Sequence, residues 1–90
     1  MDNRTFTSGT IVQHFKRETL TESERAENTY LYKIVGVASH TETEELMMIY
    51  QALYGTCQLY ARPLEMFMGE VDREKYPDIK QRYRFEEVVQ

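Results

Sequence analysis

Between residues 30 and 38 the chain reads Tyr30-Leu31-Tyr32-Lys33-Ile34-Val35-Gly36-Val37-Ala38, an apolar run rich in β-branched and aromatic residues and broken by one lysine and one glycine. Such side chains lose rotamer freedom in a helix and pack well on a pleated surface. A run this continuous predicts a strand buried on both faces. Gly36 inside it predicts a bulge or sharp bend, of the kind small barrels need. A strand like this has to be paired, and the sequence supplies candidates. Gly9 precedes Thr10-Ile11-Val12-Gln13-His14-Phe15-Lys16, which reads as a first strand. Leu59-Tyr60-Ala61-Arg62 reads as a brief fourth strand ended by Pro63, which cannot donate to a ladder. Pro63-Leu64-Glu65-Met66-Phe67 suits a single helical turn with proline at its first position. Tyr83-Arg84-Phe85-Glu86 predicts a last short strand.

Two stretches read as loops. Residues 17–28 carry many charges and a single leucine, too little apolar surface for a core helix, so an exposed loop with at most a helical turn is expected. Residues 69–82 are charged and contain Tyr76-Pro77. The segment 41–55 is ambiguous. As a helix, Thr41 and Glu44 form a capping box, Leu46, Ile49, Tyr50 and Leu53 the apolar stripe, and Gly55 the stop. As a strand, it gives a polar turn at 41–45 and a third strand over 46–54. Periodicity alone does not separate the two.

Ninety residues make one domain, 1–90, with an ordered core expected over about 9–88 and a frayed polar stretch at 1–8. A chain of this size buries roughly 60–65% of its unfolded surface, so the core is thin. Cys57 is the only cysteine and has no intrachain partner. The opening Met1-Asp2-Asn3-Arg4 is not an apolar export signal, and no apolar run approaches the ~18 residues of a membrane span, so a cytoplasmic location is expected. The net charge of −4 disfavours phosphate backbones at long range. Lys80, Arg82 and Arg84 alternate and, on a strand, share one side; a solvated edge strand guarded by charge is the preferred reading.

His14-Phe15-Lys16, Gly36-Val37-Ala38, His40-Thr41-Glu42-Thr43, Tyr50, Ala52-Leu53-Tyr54-Gly55 and Arg62-Pro63-Leu64-Glu65-Met66-Phe67 follow one another in order. This order resembles a family of short bacterial proteins known only as domain of unknown function 1653. Its members carry patterns like H-[FY]-K-G, V-x-H-S-E-T, V-V-Y-R-x-L-Y-G and W-V-R-P-L-E-M-F. The likeness covers roughly residues 11–68 and closes near Arg84-Phe85. Arg17 stands where the family pattern has glycine, Gln51 where it has arginine and Tyr60 where it has tryptophan. The family pattern is β-branched in the third segment, which implies a strand over 46–54. The implied element order is that of a mainly β, five-stranded SH3-like barrel with a long first loop and a helical turn after Pro63, a fold-level analogy that carries no function.

For function, the residues favour a non-catalytic binding module for a protein, peptide or small planar ligand on a tyrosine-lined surface. Tyr30 and Tyr32 share one strand face, as do Tyr50 and Tyr54, with Tyr60 and Arg62 beside them. The candidate ligand-binding residues are His40, Glu42, Tyr50, Tyr54 and Arg62. Tyrosines in the core are the plainer explanation of the same rings. A small metal-dependent or hydrolytic enzyme using His14, His40 and the carboxylates of Glu42, Glu44 and Glu45 is the alternative. The spacing lacks the paired ligands of a structural zinc site, and histidines more often bond a carboxylate or backbone, so no metal or cofactor is expected. A single-stranded nucleic-acid binder is a third class, supported by tyrosines and opposed by the acidic balance.

Overall fold

The computed structural model describes residues 4–88. Its elements run β1 (Ile11–His14), a 3-10 helix (Phe15–Thr19), α1 (Glu22–Ala26), β2 (Leu31–Ser39), β3 (Leu46–Ala52), β4 (Leu59–Pro63), α2 (Leu64–Phe67) and β5 (Phe85–Glu87). The five strands form one antiparallel sheet in the order β4-β3-β2-β1-β5. The register of β2 against β3 slips between Ile34 and Gly36, the irregularity foreseen at that glycine. β2 is not buried on both faces. Tyr32 and Ile34 are buried, whereas Val35 and Val37 are 45% and 51% exposed, because the far half of the β2–β3 hairpin runs beyond the core.

The ambiguous segment is a strand. Met48, Tyr50 and Ala52 are buried while Met47, Ile49 and Gln51 between them are only partly covered, a period of two. The turn before it is closed by backbone bonds from His40 N–H to Glu45 O (2.8 Å) and Glu44 N–H to His40 O (2.8 Å). Glu44 adopts φ 63°, which a right-handed helix cannot contain. The capping box instead forms at Thr21 and Glu24, where the same T-x-x-E spacing opens α1. The strand is two residues shorter than expected, with Leu53 and Tyr54 in the bend that follows.

The expected barrel is not closed: no ladder joins β4 to β5. The sheet nevertheless curls tightly. Three strand spacings separate β3 from β5, roughly 14 Å on a flat sheet, yet the rings of Tyr50 and Phe85 lie 5.6 Å apart. The gap between the edges is filled by side chains. Phe67 of α2 stacks on Phe85 at 4.0 Å, and the Arg62 guanidinium lies over the Phe85 ring at 5.5 Å. Val12, Tyr32, Ile34, Met48, Tyr50, Ala52, Phe67 and Phe85 make up the main core.

The segment before β1 is docked, which corrects the frayed terminus for residues 4–8; residues 1–3 lie outside those described. Arg4 donates to Phe85 O (2.8 Å) and Met68 O (3.1 Å) and lies 3.5 Å over the Tyr83 ring, while Phe6 meets Phe67 edge-on. The long loop after α2 has its own small core of Phe15, Val71 and Ile79. Gln81, the buried polar residue among those described, pins it: its Nε2 donates to Gln13 O (3.1 Å) and Tyr83 O (2.8 Å), and its Oε1 accepts from Gln13 Nε2 (2.9 Å). The Glu18 carboxylate accepts the backbone N–H groups of Lys80 and Gln81 (2.9 and 2.7 Å). Lys80 and Arg82 therefore belong to a braced loop rather than a strand, and Arg82 pairs with Glu70. No helix among the described residues is long and apolar enough to cross a membrane.

Candidate functional site

Strand β1 ends at His14, and the chain turns at once into the 3-10 helix. The His14 ring makes that turn: its Nδ1 accepts the Lys16 backbone N–H at 3.1 Å. A neutral ring bonded this way carries its proton on Nε2, a donor. The ring is packed among aromatics, 4.3 Å from Phe15, 5.5 Å from Tyr30 and 5.1 Å from Phe85. Burial, then the positive charges of Arg62, Lys16 and Arg84, lower its pKa from 6.5 to about 4. The unfolded chain thus holds this proton more tightly than the folded one, so folding stability falls as pH drops from about 6.5 toward 4.

A cleft of about 220 Å³ opens beside this ring. Four cationic side chains face it, Lys16, Arg62, Lys75 and Arg84, against one carboxylate, Asp72. One oxygen of that carboxylate, Oδ1, accepts the backbone N–H groups of Glu74 (3.1 Å) and Lys75 (3.3 Å). Phe15 and Tyr76 supply an aromatic wall, their rings 4.9 Å apart. The cleft is thus almost purely a set of donors in a chain of net charge −4. Its volume is below the ~300 Å³ of ordinary ligand pockets, a size for one ionic group rather than a whole cofactor. A larger hollow of about 430 Å³ lies between the docked N-terminal segment and β5, but its walls are Glu86, Glu87, Tyr83 and the already engaged Arg4. It brings no chemistry together.

The tyrosines adjoin the cleft on the concave face. Tyr50 stacks on Tyr60 at 5.6 Å, and the hydroxyls of Tyr32 and Tyr54 are 2.7 Å apart. Burial raises the Tyr50 pKa, opposed by the charge of Arg62 and a hydrogen bond from it. Burial, then the Tyr54 hydroxyl, raises that of Tyr32. Tyr32 and Tyr50 are core residues, 7% and 5% exposed, so the plainer reading holds for those two rings. Tyr60 is 38% exposed and forms the accessible part of the surface. Tyr30 adopts φ 66°, a left-handed conformation that costs a bulky residue about 1–3 kcal/mol. Its ring is held between His14 and Tyr54.

Of the five expected ligand-binding residues, the structure brings Tyr50, Tyr54 and Arg62 together and leaves His40 and Glu42 apart. His40 lies beyond the far end of β2 from His14, and nine strand residues span roughly 30 Å. Its Nδ1 accepts the N–H groups of Glu42 (3.1 Å) and Thr43 (3.3 Å), closing the hairpin turn. Among the described residues no group of three or more His, Cys, Asp or Glu is placed to hold a metal ion. His40→Ala is expected to cost about 0.5–1 kcal/mol in chemical denaturation, the worth of a lost cap. It should leave ligand binding at the cleft unchanged; a binding loss with intact stability would restore His40 to the site.

A family model described as a protein of unknown function (DUF1653) matches residues 10–87. The chain belongs to this family. No curated protein and no solved structure matches it significantly. The three departures from the family pattern noted above have structural partners here. Arg17 donates to Thr29 O (2.7 Å) and Arg25 O (3.3 Å), tying down the long first loop. Gln51 Nε2 donates to Cys57 O (3.1 Å) across the β3–β4 turn, and Tyr60 covers Tyr50. Sequence reasoning missed Lys16, Lys75, Tyr76 and the role of Arg84. Arg84 was visible only as one of three alternating cations, and the other two face elsewhere.

Proposed function

We propose that the protein is a non-catalytic binding module that seats an oxyanion, carboxylate or phosphate, in the cleft beside His14. The attached planar or apolar group then rests on Tyr60 and its tyrosine neighbours. The observation that carries this reading is the convergence of four cations and a neutral imidazole donor on one small cleft in an acidic protein. A site with four cations against one carboxylate favours an anion and repels a metal ion. Arg62 is central, since it reaches from β4 over the Phe85 ring while acting on the Tyr50 hydroxyl. On this reading the open, curled sheet is a variant of the SH3-like barrel, with Phe67 and Phe85 closing the gap that a ladder closes elsewhere. The exposed, free Cys57 fits a reducing compartment, and we place the protein in a bacterial cytoplasm.

Titration with phenyl phosphate and benzoate, followed by amide NMR, tests the proposal. Saturable shifts are expected around Lys16, Arg62 and Lys75, with benzyl alcohol giving none. Arg62→Ala should weaken phenyl phosphate at least tenfold, the ~1.5–3 kcal/mol of a charged hydrogen bond. It should keep the fold, because the Arg62 side chain is only partly buried. Equal binding of benzyl alcohol, or an unaffected Arg62→Ala, would remove the anion from the account.

A further inference from the structure

The two edges of the sheet are treated differently. The β5 edge is partly guarded: the docked N-terminal segment bonds its outward Phe85 O through Arg4, and two of its three residues, Glu86 and Glu87, are acidic. Among the described residues the β4 edge has no docked segment along it, and its devices are the single cation Arg62 and the terminal Pro63. Its sequence, Leu59-Tyr60-Ala61-Arg62-Pro63, contains no acidic residue and no lysine, and Leu59 and Tyr60 are 58% and 38% exposed. Proteins ordinarily blunt such an edge with charge, a bulge or a covering element, because its free backbone groups are a template for another strand.

The register fixes which groups are free. Ala52 N–H bonds Gln58 O at 3.0 Å, so the pairs Tyr50–Tyr60 and Met48–Arg62 in the same ladder are the hydrogen-bonded ones. Leu59 and Ala61 therefore turn their N–H and C=O groups outward, and among the described residues neither has a backbone partner there. Pro63 falls on the same outward frame, where its missing N–H costs no ladder bond and ends the edge. Tyr60 and Arg62 place their side chains on the concave face, next to the cation cleft.

The geometry points to an acidic extended peptide as the ligand, added as a sixth strand along β4 with one carboxylate delivered to the cleft through Arg62. This inference rests on the anion-binding reading above. Backbone bonds to Leu59 and Ala61 supply the pairing, Tyr60 packs under an alternate peptide side chain, and the cations select for negative charge. Cationic peptides are rejected by the same cleft.

The test uses an acetylated hexapeptide with threonine at odd positions and valine, aspartate and valine at the even ones, so that a valine and the single aspartate share one face, its counterpart with lysine for aspartate, phenyl phosphate, and two N-methylated versions of the acidic peptide. Each methylated version blocks one alternate frame of backbone N–H groups. The acidic peptide is expected to shift the Leu59 and Ala61 amides and slow their hydrogen exchange. One methylated frame should bind about fivefold or more weakly, as expected for lost backbone bonds, and the other almost unchanged. The lysine peptide should not bind. If phenyl phosphate binds but the acidic peptide does not, or both methylated frames bind alike with Leu59 and Ala61 unmoved, the edge proposal is overturned and the cleft stands. If neither phenyl phosphate nor the peptide binds, both fall.

Discussion

Phe85→Ala is expected to lower the unfolding free energy by about 3–5 kcal/mol, the range for an aromatic ring removed from a packed core. Phe85 is 1% exposed and stacked 4.0 Å from Phe67. It also touches Tyr32, Tyr50 and His14, and carries the Arg62 guanidinium on its face. One ring thus joins β5, α2, β3 and the cleft, the connections that curl an open sheet without a closing ladder. Against a total stability of about 5–15 kcal/mol for a small domain, the loss removes much of the folded population. Urea denaturation should show a much lower midpoint and a weaker cooperative transition. A midpoint within a tenth of the parent's would mean that the sheet holds its curvature without this ring.

Gln81→Leu carries the second large effect, about 2–4 kcal/mol. The leucine fills the space but leaves Gln13 Nε2 and the carbonyls of Gln13 and Tyr83 without the bonds they now have. Each buried group left unpaired costs about 1–3 kcal/mol. The damage should be local first. Hydrogen exchange should accelerate at Val71 and Arg84, whose amides bond Arg82 O and Gly69 O across the loop. Because Asp72, Lys75 and Tyr76 form one wall of the cleft, phenyl phosphate should weaken as well. Unchanged exchange at those two amides would show that the loop is held by its small core alone.

The strands were legible where their residues carry the period-two pattern, as in β3, and where β-branched residues cluster, as in β2. Gly36 correctly marked the slip in register. What local pattern could not say was which T-x-x-E caps a helix. At Thr21 nothing competes, whereas at Thr41 the neighbouring His40 ring takes the turn's N–H groups and the hairpin wins. The continuous apolar run of β2 suggested burial on both faces, but past the slip at Gly36 the β2–β3 hairpin runs beyond the core, and Val37 is half exposed although it shares a face with buried Met48. The site was only half legible. Arg62 and the tyrosines stood out by type, and His14 by rarity. Lys16, Lys75 and Arg84 are ordinary surface cations until the fold brings the end of β1, strand β4 and the loop before β5 to one place. No short-range spacing records such a meeting.

The most direct test of the anion cleft is the titration of His14 by NMR, with and without benzenesulfonate, which keeps its charge across the whole range. Alone, the imidazole should titrate near pH 4, held down by burial and by the charges of Arg62, Lys16 and Arg84. A bound anion offsets those charges, so the His14 pKa should rise by about one unit or more, equivalent to ~1.4 kcal/mol of favourable interaction. By linkage, benzenesulfonate should bind about tenfold more tightly to the protonated form. A His14 pKa that stays near 4 in saturating benzenesulfonate would contradict the account, because an anion seated among those cations cannot leave the imidazole beside them unaffected.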